Sequence, residues 1–223
     1  MGIFRSGLWV RLAHFLFFSV GLRGFLRFVI GLQYGHQPES MNNRQCIYVA
    51  NHNSFLDTFA IFSALPRCKI QQTYSLAARD YFDQRPVLKW FAERVMRSIF
   101  IGRGVGKKNG NEDFDAIDEL LQRGESLILF PEGSRGEPGK MAPFKKGIAA
   151  ILQKHPHIPY VPIYLHNAGM VLPKGDWMPI PFECSIQFGE PVWKVGDTDA
   201  ILTDIRQKIL ELKPEIIKES SAA

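Results

Sequence analysis

Residues 51–57, NHNSFLD, combine a histidine and an aspartate that together have the parts of a general base. They follow an apolar run, CIYVA, that predicts a buried strand. Ser54 and Asp57 fit the S-x-x-D pattern of a helix start, so His52 is expected in the turn between strand and helix. Because the chain turns there, the carboxylate can face the imidazole, fix its tautomer and support the imidazolium. The alternative is a capping box beside a hydrogen-bonded histidine that has no catalytic part.

A second polar cluster, FPEGSR (130–135), follows another apolar run, SLILF. Sites in open α/β sheets lie outside the carboxyl ends of the strands. If the two strands are parallel, His52 and Glu132 therefore lie at the same edge of the sheet. Gly133 permits close approach of a ligand to the backbone, and Arg135 offers a planar fork of donors for a phosphate. The alternative is a surface turn with a solvated Glu–Arg pair.

A third stretch, RSIFIGRGVGKKNG (97–110), is basic and rich in glycine. Its backbone amides and cations, Arg103 among them, could hold a phosphate. It lacks the spacing of a Walker loop, and a flexible basic loop is an equal alternative.

Strand-like and helix-like patterns alternate after a polar segment at 35–44. The alternation predicts an α/β fold with a mostly parallel central sheet flanked by helices. We expect an N-terminal segment at 1–34 and one α/β domain at 35–223. The predicted strands are 45–50, 72–77, 98–101, 126–130, 160–165 and 184–188, and the predicted helices are 54–65, 86–97, 111–124, 144–154 and 198–212.

The N-terminal segment, residues 1–34, has four arginines and no acidic residue in its first 32 positions. Its uncharged run LAHFLFFSVGL is shorter than the roughly 20 residues that a spanning helix needs. A signal peptide is disfavoured, because Arg23 and Arg27 stand where small cleavage-site residues are expected. The pattern predicts an amphipathic helical segment that associates with the membrane interface. A core helix whose arginines reach solvent is the alternative.

The composition is that of a basic globular protein of 223 residues with a net charge of +5. Such a charge suits a membrane surface, a phosphorylated substrate or nucleic acid, and no nucleic-acid-binding module is recognisable. The three cysteines form no C-x-x-C pair, which predicts neither a disulfide framework nor a zinc site and favours a reducing compartment. The five histidines other than His52, at positions 14, 36, 155, 157 and 166, show no convincing ligand spacing, so no metal is assigned.

These motifs resemble those of the glycerolipid acyltransferases of the lysophosphatidic acid acyltransferase type. NHNSFLD (51–57) matches the family's first block, N-H-x-S-x-x-D, and FPEGSR (130–135) matches its third, F-P-E-G-[ST]-R. FIGR (100–103) resembles the second block and VPIYL (161–165) the fourth. The blocks stand in the family's order, and the first and third together are specific.

The resemblance implies that His52 takes the proton from an acceptor hydroxyl as that oxygen attacks an acyl thioester, with Asp57 orienting His52. Ser54 is then a helix cap rather than a nucleophile, and no cofactor is needed beyond the co-substrate, acyl-CoA or acyl carrier protein. The implied acceptor is lysophosphatidic acid or a related lysophospholipid, in phospholipid biosynthesis or remodelling. Arg103 and Arg135 would contact its phosphate. The implied substrate-binding residues are Arg103, Glu132, Gly133, Ser134 and Arg135.

The same resemblance implies a peripheral or monotopic protein on the cytoplasmic face of a membrane, a bacterial inner membrane in the first instance. Two departures concern the acceptor. Gly102 stands where many members that acylate lysophosphatidic acid carry an aspartate, and SLAARDYF (75–82) replaces a K-x-E-L-like segment, with Arg79 as a substitute for the lysine charge. A different, non-glycerophosphate lipid or polar alcohol acceptor is one alternative, and a catalytically inactive lipid-binding membrane protein is another. A hydrolase using Ser54 and His52 is disfavoured by the missing G-x-S-x-G elbow.

Overall fold

The structure is a computed structural model that describes residues 16–54, 56–102, 110–136, 139–171 and 183–214. Seven strands in these ranges form one sheet with the order β1-β7-β6-β2-β5-β3-β4. The strands are β1 (Leu32–Tyr34), β2 (Ile47–Ala50), β3 (Thr73–Ala78), β4 (Ser98–Ile101), β5 (Ser126–Leu129), β6 (Tyr160–His166) and β7 (Cys184–Phe188).

Helices connect the strands and cover both faces of the sheet. The N-terminal helix α1 has wide, π-helical turns at each end and consists of Phe17–Leu22, Arg23–Phe25 and Leu26–Ile30. The other helices are α2 (Leu56–Ala64), α3 (Arg67–Ile70), α4 (Arg79–Phe82), α5 (Pro86–Arg94), α6 (Gly110–Gln122), α7 (Gly147–Lys154), α8 (Ala168–Val171) and α9 (Thr198–Glu211).

The sheet is parallel through its centre. The neighbours β6, β2, β5, β3 and β4 all run in the same direction, whereas β7 is antiparallel to β6 and β1 is parallel to β7. All four residues of β2 and all four of β5 are buried, as expected for strands that are covered by helices on both faces. The predicted α/β class with a mostly parallel sheet is therefore confirmed.

Two apolar layers enclose the sheet. On one face, α1 and α2 contribute fully buried aromatic and aliphatic side chains, among them Phe18, Leu26, Ile61 and Phe62. On the other face, α9 buries Ile201, Ile205 and Ile209, whose spacing of four places them on one side of the helix. The helices α6 and α7 complete this second layer with Leu120, Leu121, Ile148 and Leu152.

The pattern-based elements are found within a few residues of their expected bounds, and β1 and the short helices α3, α4 and α8 were missed. The helical prediction for residues 1–34 was wrong at its end, because Gly31 adopts φ +84° and stops α1, after which Leu32–Tyr34 pairs with β7. Among the helices of the described ranges, none has the length and apolarity to cross a bilayer.

Candidate active site

The two polar clusters meet at one edge of the sheet. The strands β2 and β5 are parallel neighbours, with Val49 opposite Leu129, so the turns that follow them leave from the same side. The backbone N–H of His52 donates to Glu132 Oε1 across 2.8 Å. The first and third sequence blocks therefore form one continuous structure, although 80 residues separate these two partners along the chain.

Asp57 orients the imidazole of His52. His52 Nδ1 lies 2.9 Å from Asp57 Oδ2, and the same oxygen accepts the backbone N–H groups of Asn53 at 2.7 Å and Ser54 at 2.8 Å. An ionised carboxylate only accepts hydrogen bonds, so Nδ1 carries the ring proton and Nε2 is left as the proton acceptor. Ser54 Oγ accepts from the N–H of Leu56 at 3.2 Å, which agrees with a residue at a helix start.

The position of His52 is fixed by its main chain as well as by its ring. Its carbonyl oxygen accepts the N–H of Gly136 at 2.9 Å, while its own N–H is held by Glu132. The imidazole stacks on Phe130, with ring centres 4.1 Å apart and an interplanar angle of 18°. One-fifth of the side chain, 19%, remains exposed, so a substrate can reach the ring while the surrounding contacts keep it in one place.

Glu132 is a buried brace between loops. Its side chain accepts from His52 N through Oε1 and from Ala142 N through Oε2, the second across 2.8 Å. Burial raises the pKa of this carboxyl, and the two N–H donors oppose the shift. The sequence indicated a substrate contact at this position, whereas the contacts in the structure are to the main chain of two loops. No sequence pattern predicts hydrogen bonds from one side chain to main-chain groups of two separate loops.

The turn that follows Glu132 carries the other predicted binding residues of this block. Gly133 has φ +72°, a conformation that glycine adopts without strain, and Ser134 is exposed beside it. The guanidinium of Arg135 lies 5.5 Å from the ring centre of Tyr81, and that of Arg85 lies 4.4 Å from the same ring. Within the described ranges neither arginine has a carboxylate partner, so both charges remain available to an anion.

The second block ends beside an acidic residue that the sequence did not identify. The N–H of Gly102 donates to Asp113 Oδ2 at 2.6 Å, and the other oxygen of Asp113 pairs with Arg79 at 2.9 Å. Arg79 also donates to the carbonyl of Phe100 at 3.0 Å, so its charge holds the end of β4. Arg103, the predicted phosphate contact, lies outside the described residues.

An apolar cavity of about 190 Å³ extends from His52 into the protein. Its floor comes from the ends of β3 and β4, and its walls come from α2, α4 and α5. Gly133 and Arg135 lie at the polar end with His52. The other lining residues are mostly apolar and include Phe59, Leu76, Phe82, Leu88, Phe91, Met96 and Ile101.

A second His–Asp pair lies at the opposite edge of the sheet. His155 precedes β6, and its Nε2 is 2.7 Å from Asp118 Oδ1, with both side chains at most 9% exposed. It is outside the cavity lining, and Asp118 also pairs with Lys154. Over the parts of the chain that the structure describes, no group of three or more His, Cys, Asp or Glu side chains is arranged to hold a metal ion.

Known proteins share both the sequence pattern and the fold. A chloroplastic 1-acyl-sn-glycerol-3-phosphate acyltransferase of Brassica napus is 29% identical over 173 residues, which are 78% of this chain and 44% of that protein. The enzyme of the same name from Pseudomonas aeruginosa is 26% identical over 196 residues, 87% of this chain and 73% of the relative. The chain spans about half the length of several curated relatives that it matches.

The crystal structure of a 1-acyl-sn-glycerophosphate (LPA) acyltransferase, PlsC, from Thermotoga maritima superposes with a TM-score of 0.71 at 20% identity. The match covers 95% of this chain and 83% of that one, and it supports the α/β architecture described above. The sequence model of the family described as Acyltransferase matches residues 33–166, more than half of the 223 residues, and includes both site-forming clusters. With the paired His52 and Asp57 and the brace from Glu132 inside that range, the chain belongs to the acyltransferase family.

Proposed function

We propose that this chain transfers a fatty acyl group from a thioester to a hydroxyl of lysophosphatidic acid or a related lysophospholipid. The observation that carries the proposal is the His52 imidazole, which lines an apolar cavity and is held at Nδ1 by the buried Asp57. The similar proteins of Brassica napus and Pseudomonas aeruginosa are both named for this reaction and acceptor, as 1-acyl-sn-glycerol-3-phosphate acyltransferases.

His52 Nε2 accepts the proton of the acceptor hydroxyl as its oxygen forms a bond with the thioester carbonyl carbon. The carbon–sulfur bond then breaks, and the leaving sulfur takes the proton back from the imidazolium. Asp57 stabilises the imidazolium between these two steps, and a base of this kind contributes typically about 10²–10⁴-fold to a rate. No acyl-enzyme forms, so Ser54 has no nucleophilic part.

Substrate binding follows from the two ends of the cavity. The apolar walls accept the acyl chain, because burying methylene groups there removes apolar surface from water. At the polar end, Arg135 contacts the phosphate of the acceptor. Arg103, which lies outside the described residues, is the second phosphate contact that the sequence resemblance implies. Gly133 and Ser134 are exposed beside Arg135, while Glu132 acts by holding the two loops together.

Helix α1 attaches the protein to the membrane that supplies the acceptor. It exposes apolar side chains, with Val20 at 58% and Phe28 at 84%, and its only charged residues are Arg23 and Arg27. A basic helix with exposed aromatic residues is suited to the interface of an anionic leaflet. The protein is then peripheral or monotopic on the cytoplasmic face, a bacterial inner membrane being the first candidate.

Product analysis tests the proposal. The protein is incubated with acyl-CoA or acyl carrier protein charged with the same acyl group, and with a panel of lysophospholipids and polar alcohols. We expect mass spectrometry to detect phosphatidic acid or another diacyl phospholipid. Esters found only on a non-glycerophosphate alcohol would reassign the acceptor. Thiol release without any ester would indicate a hydrolase, and neither product would reject catalysis of this kind.

A further inference from the structure

Helix α5 (Pro86–Arg94) has two apolar faces. Leu88, Phe91 and Ala92 point inward and line the cavity, while Val87 and Trp90, three residues apart, point outward. Val87 is 81% exposed and Trp90 is 59% exposed. Helix α5 therefore forms one wall of the cavity with its inner face. Its outer face exposes a large aromatic side chain and a β-branched side chain.

Helix α5 also contacts α1. The ring of Phe91 lies 6.3 Å from that of Phe17 in an edge-to-face arrangement, so α5 packs against the start of α1. At that start Phe17 is 40% exposed and Val20 is 58% exposed. Exposed apolar side chains therefore lie on both of two helices that contact one another.

The charges around this surface are mainly positive. On α1 the charged residues of the described part are Arg23 and Arg27. On and just before α5 they are Arg85, Lys89 and Arg94 against Asp83 and Glu93, and Lys89 is paired with Asp83. Arg94 follows Trp90 by four residues and is exposed on the same side of the helix. Exposed tryptophan flanked by arginine is suited to the headgroup region, where the indole N–H and the guanidinium stay hydrated while the ring enters the apolar layer.

We propose that the outward face of α5, Val87 and Trp90, is a second contact with an anionic lipid bilayer, in addition to α1. The inference rests on the proposed function, because that function places both the acceptor and the product in a membrane. With α5 seated in the interface, the inner face of the same helix forms the boundary between the acyl cavity and the lipid. The cavity wall is then a membrane element, and an acyl chain needs to cross only one helix layer to leave the site.

The chain contains a matched control for this surface. Trp193 is 50% exposed and Val195 is 79% exposed, values close to those of Trp90 and Val87. The indole N–H of Trp193 contacts the carbonyl of His157, which precedes β6, so this pair lies at the sheet edge opposite to the site. The two pairs have the same residue types and similar exposure, and they differ in location and in the contacts of Trp193 with the His157 carbonyl and the Arg44 guanidinium.

Fluorescence of single-tryptophan proteins tests the proposal. The other tryptophans of the full chain are replaced by Phe, leaving Trp90 in one protein and Trp193 in the other, and a third protein carries only a tryptophan introduced by Phe28→Trp. Each is mixed with vesicles of phosphatidylglycerol and phosphatidylcholine whose acyl chains are brominated. We expect Trp90 to lose about half of its emission or more, because an interfacial helix buries its apolar face in the acyl boundary, and Trp193 to be unaffected.

Vesicle partitioning of the double variants gives a second readout. We expect Val87→Ser with Trp90→Ser to lower the partition coefficient about tenfold, and Trp193→Ser with Val195→Ser to leave it unchanged. Transfer to a detergent-dispersed acceptor should stay at the wild-type level, because neither Val87 nor Trp90 lines the cavity.

Three outcomes would overturn the proposal that α5 contacts the membrane. Each of them can be told apart from a failure of the proposed acyltransferase function. If the probe at position 28 is quenched and Trp90 is not, α1 alone binds lipid. If no probe is quenched while transfer in detergent persists, the enzyme assignment stands without membrane contact. If Trp90 stays unquenched and the Val87 and Trp90 substitutions abolish a concentration-dependent dimer, the face belongs to a second copy of the chain.

Discussion

Replacing Asp57 by Asn removes the negative charge beside His52 and leaves the shape of the side chain at position 57 almost unchanged. Three N–H groups converge on Oδ2, and Oδ1 has no hydrogen-bond partner among the described residues. An amide oxygen placed at the Oδ2 position can keep all three hydrogen bonds, so the imidazole stays oriented. The amide NH₂ then occupies the site of Oδ1, in a side chain that is fully buried.

Two magnitudes follow from this geometry. The buried NH₂ without an acceptor is expected to lower the free energy of unfolding by about 1–3 kcal/mol. The rate constant kcat falls more, because the imidazolium formed during transfer loses its buried counter-charge. A loss of about 10²–10⁴-fold is expected, the full value of a general base. At 1.36 kcal/mol per factor of ten, that is about 3–5 kcal/mol of barrier.

Thiol release from acyl-CoA in the presence of lysophosphatidic acid gives kcat, and denaturant unfolding gives the stability. The control is Asp118→Asn, because Asp118 holds His155 at 2.7 Å in a buried pair at the other edge of the sheet. We expect this control to lose comparable stability and to keep kcat. The reasoning is refuted if Asp57→Asn stays folded and its kcat remains within about threefold of wild type.

Arg135→Ala should raise KM for a phosphorylated acceptor about tenfold or more with kcat little changed, and equal losses on an unphosphorylated alcohol would remove it from the phosphate site. Glu132→Gln should lower the free energy of unfolding by about 1–3 kcal/mol, since an amide has one oxygen for two backbone donors, and an unchanged denaturation midpoint would reject the bracing role. At pH 8 a thiol reagent should label exposed Cys68 before Cys46 or Cys184, because burial raises the pKa of each of those two thiols to about 11. The pKa of each buried thiol is higher in the folded chain than in the unfolded chain, so its contribution to stability is fully present below about pH 8.5 and is lost as the pH rises toward 11. Unfolding curves at increasing pH would measure this loss.

The central strands were predictable from sequence because parallel strands buried on both faces are continuous apolar runs, as in β2 and β5. Strand β1 was not, because three residues, Leu32–Tyr34, are too few for a period of two to be recognised. Its partner β7 lies some 150 residues further along the chain, as the bond between Gln33 and Glu183 illustrates. Pairing at such a separation leaves no local signal.

The contacts of the site residues also divide into those that the local sequence could predict and those that it could not. His52 and Asp57 are five residues apart, and the helix-start pattern between them was enough to predict that they meet. The contacts of Glu132 and Asp113 depend on how separate loops return to the sheet edge. Both oxygens of Glu132 and one oxygen of Asp113 accept backbone N–H groups, which every residue type except proline offers. The sequence therefore indicated that Glu132 belongs to the site, but it could not indicate which backbone groups the carboxylate contacts.

The most direct test is ester formation by His52→Ala with acyl-CoA and lysophosphatidic acid, measured by mass spectrometry alongside denaturant unfolding. The imidazole is 19% exposed and the turn is held by main-chain contacts, so the variant should fold. If His52 Nε2 is the base, kcat falls by about 10²–10⁴-fold. A folded variant that forms the ester at close to the wild-type rate would contradict the assignment of His52 as the proton acceptor.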